Sequence, residues 1–341
     1  MRNIAFFQLE DWEKEELIIG DFFAGQDVKV TTSQEVLRPE VIMPQSDFEV
    51  ISVFVDSAIN KDILERLPNI KLIATRSTGY DHIDLEECNK RGIKVANVPS
   101  YGSDTVAEYT FALLLALSRK IYDSYNRVRE TGSFDLEGLR GFDLSGKKLA
   151  VIGVGRIGSN VIKIAKGFDM EVLAYDPHPN PELAQEYGFT YDTLENVLKQ
   201  ADIITIHTPY LPATHHLLNE ETLALCKKGA YLINTARGPI VKTEALIRSL
   251  AQGHLAGAAL DVLEEEGSIK DELALMTGGR TLDKDPDYKT MLANHLLIDM
   301  PNVIITPHNA FNTTEALKRI TSTTIENIQK YLAGQPINLV N

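Results

Sequence analysis

The sequence predicts an α/β protein made of two doubly wound, parallel-sheet domains, and four observations carry that expectation. The chain has 341 residues, which at roughly 150 residues per domain makes two. Its composition, 44% hydrophobic, is enough for two packed cores. Short apolar runs alternate with helix-like stretches, the pattern of βα units. Near the middle, an apolar run enters Gly153-Val154-Gly155-Arg156-Ile157-Gly158 and then a helix-like stretch, Ser159 to Phe168, so a whole domain precedes that turn.

Residues 1–100 read as strands at Ile4–Phe7, Val28–Thr31, Val50–Val55, Ile70–Thr75 and Lys94–Val98, with helix-like stretches such as Lys61–Leu67 between them. Thr105–Ile121 is apolar nearly all round. Such a helix is buried against another domain or another subunit, which makes it the expected homodimer contact, with an intrachain core helix as the alternative.

From Lys147 onward six apolar runs end in polar residues: Ala150–Ile152 at the glycines, Val172–Tyr175 at Asp176, Ile203–Ile206 at His207, and three more finishing at Thr235-Ala236-Arg237, Asp261 and Thr306-Pro307-His308. Helical stretches at Glu195–Gln200, Glu220–Lys227 and Thr243–Gln252 separate most of them, which favours a parallel sheet. Ligands bind outside the carboxyl ends of such strands, so these polar termini should face one cleft. The last helix, Thr313–Leu332, is expected to return to the first domain. The domains are therefore residues 1–100 with 311–341, and residues 101–310.

The glycine turn has a physical logic. Gly153 permits the tight turn, Gly155 lets backbone approach a pyrophosphate, and Gly158 lets helix and strand pack closely. The phosphates then sit on the helix N-terminus, at Arg156 and Ile157. Asp176 ends the next strand about 20 residues on, where a carboxylate accepts hydrogen bonds from the adenosine ribose hydroxyls. Pro177 and His178 follow with no arginine to neutralise a ribose phosphate, so the cofactor is read as NAD.

A formal net charge of −14 argues against nucleic-acid or anionic-membrane partners, which need clustered Lys and Arg. Cys88 and Cys226 show neither disulfide nor metal-ligand spacing, so no metal site is expected and both read as buried thiols. No basic leader with a long apolar core follows Met1, and the longest uncharged apolar helix candidate, Tyr109–Ser118, is too short to span a bilayer. These features point to a cytoplasmic enzyme.

Hydride chemistry at such a cleft needs a carboxylate anchor, a proton-transfer group and something to tune that group. Arg237 can hold a carboxylate or polarise a carbonyl. Of eight histidines, His207 and His308 sit at predicted strand ends, and spacing does not choose between them. Glu264, Glu265 or Glu266 can serve as the carboxylate partner that fixes an imidazole tautomer and favours its charged form.

Seven motifs in order then carry a resemblance over nearly the full length. They are Arg76-Ser77-Thr78-Gly79-Tyr80-Asp81-His82-Ile83-Asp84, Val98-Pro99-Ser100-Tyr101 with Val106-Ala107-Glu108, Gly153 to Gly158, His207-Thr208-Pro209, Asn234-Thr235-Ala236-Arg237-Gly238, Leu260-Asp261-Val262, and Thr306-Pro307-His308-Asn309-Ala310-Phe311. With these the chain resembles the NAD-dependent D-isomer-specific 2-hydroxyacid dehydrogenases, in flavour the D-lactate dehydrogenases. The resemblance implies two Rossmann-like/flavodoxin-like domains, the first (1–100 with 311–341) a substrate domain and the second (101–310) an NAD-binding Rossmann domain, with an active-site cleft between them. It implies His308 as general acid/base, Glu266 as its partner and Arg237 as substrate ligand, with Thr78 and Gly79 as a backbone carboxylate cradle. Tyr101, Phe311 and Phe54 match pocket positions, core packing being the alternative for each. His207, Thr208, Pro209, Thr214, Thr235, Ala236, Asp261 and Thr105 fall on the cofactor side.

The implied substrate is a small 2-keto or 2-hydroxy acid, pyruvate or D-lactate first, since aromatic pocket residues favour a small apolar side chain over a phosphate. Glyoxylate, hydroxypyruvate or phosphoglycerate-type substrates are the enzymatic alternatives, and an NADH-sensing corepressor-like dimer is the non-enzymatic one. The chain departs from the family where Gly267 replaces a frequent proline and a long segment, Ser268–Met300, follows. That segment reads as a lid or an interface arm, and it leaves Glu264 and Glu265 open as alternative partners.

Overall fold

The computed structural model describes residues 1–11, 13, 20–23, 27–42, 47–267 and 287–341. It divides into two compact units, Met1–Tyr101 with Asn312–Asn341, and Gly102–Phe311.

The smaller unit holds five strands, β1 (Arg2–Phe6), β2 (Val28–Thr32), β3 (Val50–Val53), β4 (Leu72–Thr75) and β5 (Lys94–Ala96). All pair in parallel, in the order β2-β1-β3-β4-β5, which is the flavodoxin-like doubly wound arrangement. β3 and β4 are buried at every position, as strands covered by helices on both faces must be. Val50–Val55 is shorter than expected because the chain turns after Val53. Local signals set the helix ends: Asn60 caps Lys61–Arg66 by accepting from the Ile63 N–H at 3.1 Å, and Gly92, at φ 68°, closes Leu85–Arg91. The helix Thr314–Leu332 packs on β4, with Ile328 fully buried. The tail beyond it pairs antiparallel with β5 at Ala96 and Leu339, covering that sheet edge.

The larger unit holds seven parallel strands: β6 (Lys148–Ile152), β7 (Glu171–Tyr175), β8 (Thr190–Tyr191), β9 (Ile203–Ile206), β10 (Ala230–Asn234), β11 (Leu255–Leu260) and β12 (Val303–Ile305). Their order is β12-β11-β10-β9-β6-β7-β8. This is the Rossmann order extended by one strand, with its switch point between β6 and β9. Six strands are legible in the sequence; the seventh, β8, is two residues long at the sheet edge and carries no periodic signal.

The helix expected over Thr105–Ile121 spans Ser103–Ser118. Phe111, Leu113, Leu114 and Leu117 are buried within this same unit, against the helix Arg156–Gly167 and strands β10 and β11. Those residues are core. The chain breaks at Lys120, which takes φ 53°, and a new short helix runs Ile121–Asn126. Of the Ser268–Met300 segment, residues 268–286 lie outside the described residues, while Tyr288–Ile298 is a helix that buries Leu297 in the core. Among the described residues no helix is long and apolar enough to cross a membrane.

Candidate active site

Because β6, β9, β10, β11 and β12 are parallel neighbours, the residues that follow them line one edge of the sheet in spatial order: the glycine turn, His207, Thr235–Arg237, Asp261 and His308. Arg237 and His308 leave strands two positions apart, roughly 10 Å at the usual strand spacing.

Each glycine of the turn has its own reason. Gly153 adopts φ 91°, and a Cβ there would lie 2.7 Å from the Thr208 nitrogen. A Cβ on Gly158 would lie 2.1 Å from the Gly153 carbonyl oxygen, whereas one on Gly155 would meet nothing within 4 Å. The open side of the turn is thus at Gly155, the N-cap of the helix Arg156–Gly167, which makes no side-chain cap bond. Asp176 stands beside it, its carboxylate accepting from the Val154 N–H and the His178 N–H, each at 2.8 Å. Open space at Gly155 over a helix N-terminus, with a carboxylate alongside, fits a dinucleotide with an unphosphorylated ribose.

Thr208 and Pro209 lead into a turn that Thr214 organises, its hydroxyl donating to the Pro209 carbonyl at 2.8 Å and accepting from the Leu211 N–H at 2.8 Å. Thr235 is buried and shares a 3.0 Å hydroxyl contact with Thr110. Thr105 is buried in the first turn of its helix. Asn234 acts as a clamp that strand pattern alone does not reveal. Its amide oxygen accepts from the Ala236 N–H and its amide nitrogen donates to the Arg237 carbonyl, both at 3.0 Å, which holds the turn that presents Arg237.

Their partners and the enclosure of one ring separate the two candidate histidines. His207 bonds Thr205 through Nε2 at 2.8 Å, and although the residue is only partly buried, enclosure of its ring pushes its pKa down to about 3. It stays neutral near pH 7. His308 instead places Nδ1 2.7 Å from Glu266 Oε1, and both side chains keep some exposure. The Phe311 ring stands edge-on to the imidazole, 6.5 Å between centroids.

Glu264 is committed elsewhere: one oxygen meets His216 Nε2 at 2.6 Å and the other accepts from the Thr243 N–H at 2.7 Å. Glu266 is therefore the carboxylate on His308. Asp261, expected on the cofactor side, has its carboxylate filled by the Thr306 hydroxyl (2.5 Å) and the Asn309 and Ala310 N–H groups (2.9 and 2.8 Å). Burial pushes its carboxyl up, against those hydrogen bonds. In this structure Asp261 holds the loop in which His308 takes the left-handed φ of 53°.

In the smaller unit, Arg76 is fully buried and binds Glu13 Oε1 at 2.8 Å, Ser52 Oγ at 3.1 Å and the carbonyls of Phe7 and Gln8 at 2.8 and 2.7 Å. Phe54 lies beneath its guanidinium, 5.9 Å from the ring centroid. This anchor carries the next three residues. The Ser77 carbonyl accepts from the Val98 N–H, the Thr78 carbonyl from Asn97 Nδ2, and the Gly79 carbonyl from the Ser77 hydroxyl. Among the described residues, neither the Thr78 nor the Gly79 N–H has an acceptor. Tyr101 accepts from Arg319 Nε at its carbonyl, at 2.7 Å.

Residues 111–310 match the family model described as D-isomer specific 2-hydroxyacid dehydrogenase, NAD binding domain. A 2-hydroxyacid dehydrogenase homolog of Zymomonas mobilis is 40% identical over 336 residues, 98% of each chain. A glyoxylate reductase of Thermococcus litoralis is 38% identical over 303 residues, covering 86% of this chain and 84% of its own. The crystal structure of a D-lactate dehydrogenase from Aquifex aeolicus, complexed with NAD and lactic acid, superposes with a TM-score of 0.85 at 35% identity, covering 98% of this chain and 96% of that one.

Proposed function

This chain belongs to the D-isomer specific 2-hydroxyacid dehydrogenases, NAD-dependent oxidoreductases, and on that footing we propose that it interconverts a small 2-keto acid and its D-2-hydroxy acid, pyruvate and D-lactate foremost. The observation that carries the reading is the His308–Glu266 pair at the sheet edge that Arg237 and the glycine turn share.

Gly153–Gly158 and Asp176 would hold NAD, whose nicotinamide would supply or take the hydride. Since Glu266 accepts from Nδ1, Nε2 is the atom at which His308 gives a proton to the carbonyl oxygen in reduction and takes one from the hydroxyl in oxidation. Glu266 fixes that tautomer. Arg237, presented by the Asn234 clamp, stabilises negative charge on the substrate oxygen and grips the carboxylate. The unmet N–H groups of Thr78 and Gly79 are a ready seat for that carboxylate. His207 is a neutral neighbour on the cofactor side. Tyr101 and Phe311 supply the apolar contact that suits a methyl side chain.

Similarity to a glyoxylate reductase favours glyoxylate or hydroxypyruvate as the second reading. A panel of 2-keto acids, followed by NADH oxidation, decides: pyruvate is expected to give the highest kcat/KM, and glyoxylate outranking it replaces the first reading.

A homodimer is proposed as well. Its surface extends beyond the Thr105–Ile121 helix into the exposed residues Tyr122, Tyr125, Phe134 and Leu136, the last two about 80% exposed. Sedimentation of the wild type against a Phe134→Asp, Leu136→Asp variant tests it. A cytoplasmic location is part of the same proposal, supported by the two buried free thiols, which suit a reducing compartment.

A further inference from the structure

The carboxylate seat is made of backbone, so something must fix which way its peptides face. We propose that Asn97, braced by Asn327, is the positioning residue that orients the Thr78–Gly79 peptide toward the substrate carboxylate; the proposal rests on the reading of Thr78 and Gly79 as that seat. Asn97 Nδ2 donates to the Thr78 carbonyl at 2.8 Å. In a trans peptide the C=O and N–H point in opposite directions, and no described peptide is cis. Holding the Thr78 oxygen toward Asn97 therefore turns the Gly79 N–H the other way, away from the acceptors that bind the rest of the loop.

Asn97 can do this because it cannot move. It follows β5, is 7% exposed, and is bound along its backbone on both sides: its N–H donates to the Asn338 carbonyl at 3.1 Å, and its carbonyl accepts from Asn327 Nδ2 at 2.8 Å. Asn327, on the helix Thr314–Leu332 and 1% exposed, accepts in turn from Asn338 Nδ2 at 2.8 Å. A chain of amides thus runs from the C-terminal segment to the seat, and its middle link, Asn327, both donates and accepts through its side chain. Aspartate at 97 keeps the shape but sets an oxygen against the Thr78 carbonyl.

The test uses the full-length enzyme with NADH and pyruvate, comparing wild type, Asn97→Ala, Asn97→Asp and Gly79→Pro, the last deleting the N–H itself. Asn97→Ala is expected to raise KM for pyruvate about 3- to 10-fold, the worth of one net hydrogen bond, with kcat and the NADH dissociation constant little changed. Asn97→Asp should raise it further. An unchanged KM in both Asn97 variants, with Gly79→Pro raising it, overturns the positioning role and leaves the seat standing. An unchanged KM in Gly79→Pro removes the seat and the proposal together. Loss of kcat or NADH affinity with KM intact marks Asn97 as merely structural and also overturns it. Should the Asn97 variants not fold, Asn327→Asp, one link further from the loop, is read by the same criteria.

Discussion

His308 Nδ1 and Glu266 Oε1 lie 2.7 Å apart although 42 residues separate them in the chain. The other Glu266 oxygen accepts from the Leu263 N–H at 3.3 Å, so the carboxylate is held by its own turn while it holds the imidazole. His308→Gln should lower kcat by ~10²–10⁴-fold with NADH binding intact, and Glu266→Gln should cost less, because an amide oxygen still accepts from Nδ1. Steady-state kinetics beside fluorescence titration of NADH checks this; near-normal turnover in His308→Gln removes it from the proton-transfer role.

Two glycine variants separate packing from cofactor approach. Gly158→Ala sets a Cβ against the Gly153 carbonyl oxygen, backbone that cannot swing aside. It should lower stability by about 1–3 kcal/mol and weaken NADH binding with it. Gly155→Ala meets no protein atom within 4 Å, so its melting temperature should match wild type while its NADH affinity falls. Equal NADH affinity in Gly155→Ala and wild type would falsify the open-face reading.

Arg76 is a matter of fold stability. Arg76→Ala leaves Glu13 as a buried carboxylate without its cation, and strips two backbone carbonyls of their donor. Breaking such a pair costs about 3–5 kcal/mol. Denaturant unfolding should show a loss of that order, and a change under about 1 kcal/mol, the size of an exposed ion pair, contradicts it.

His207 makes the protein acid-sensitive. With a folded pKa near 3 against an ordinary 6.5, the folded state refuses a proton that the unfolded chain accepts between those values. Stability is fully present above pH 6.5 and falls as pH drops through that window, by up to one proton's worth, about 1.4 kcal/mol per pH unit. His207→Gln should therefore flatten the dependence of unfolding free energy on pH between 6 and 4. Identical slopes in variant and wild type would show that the ring is not enclosed as described.

The parts of this protein that could be read in advance are those whose cause is local. The glycines announce themselves because a left-handed turn at Gly153 and a close approach at Gly158 exclude any side chain. Asp176 follows because one βα unit has a nearly constant length. Strand β8 escaped because two residues carry no period, and Asn97 escaped because nothing near it in sequence shows that its amide reaches Thr78.

What the chain order alone settled is the class of the two sheets, the cofactor turn and the set of polar strand ends, because hydrophobic periodicity and glycine sterics act over a few residues. Only the folded protein enclosed the His207 ring, set Glu266 rather than Glu264 against His308, and brought Asn97 and Asn327 to the Thr78–Gly79 loop. Those choices depend on ring enclosure and on hydrogen bonds between residues 42, 48 and 230 positions apart, which no local pattern encodes.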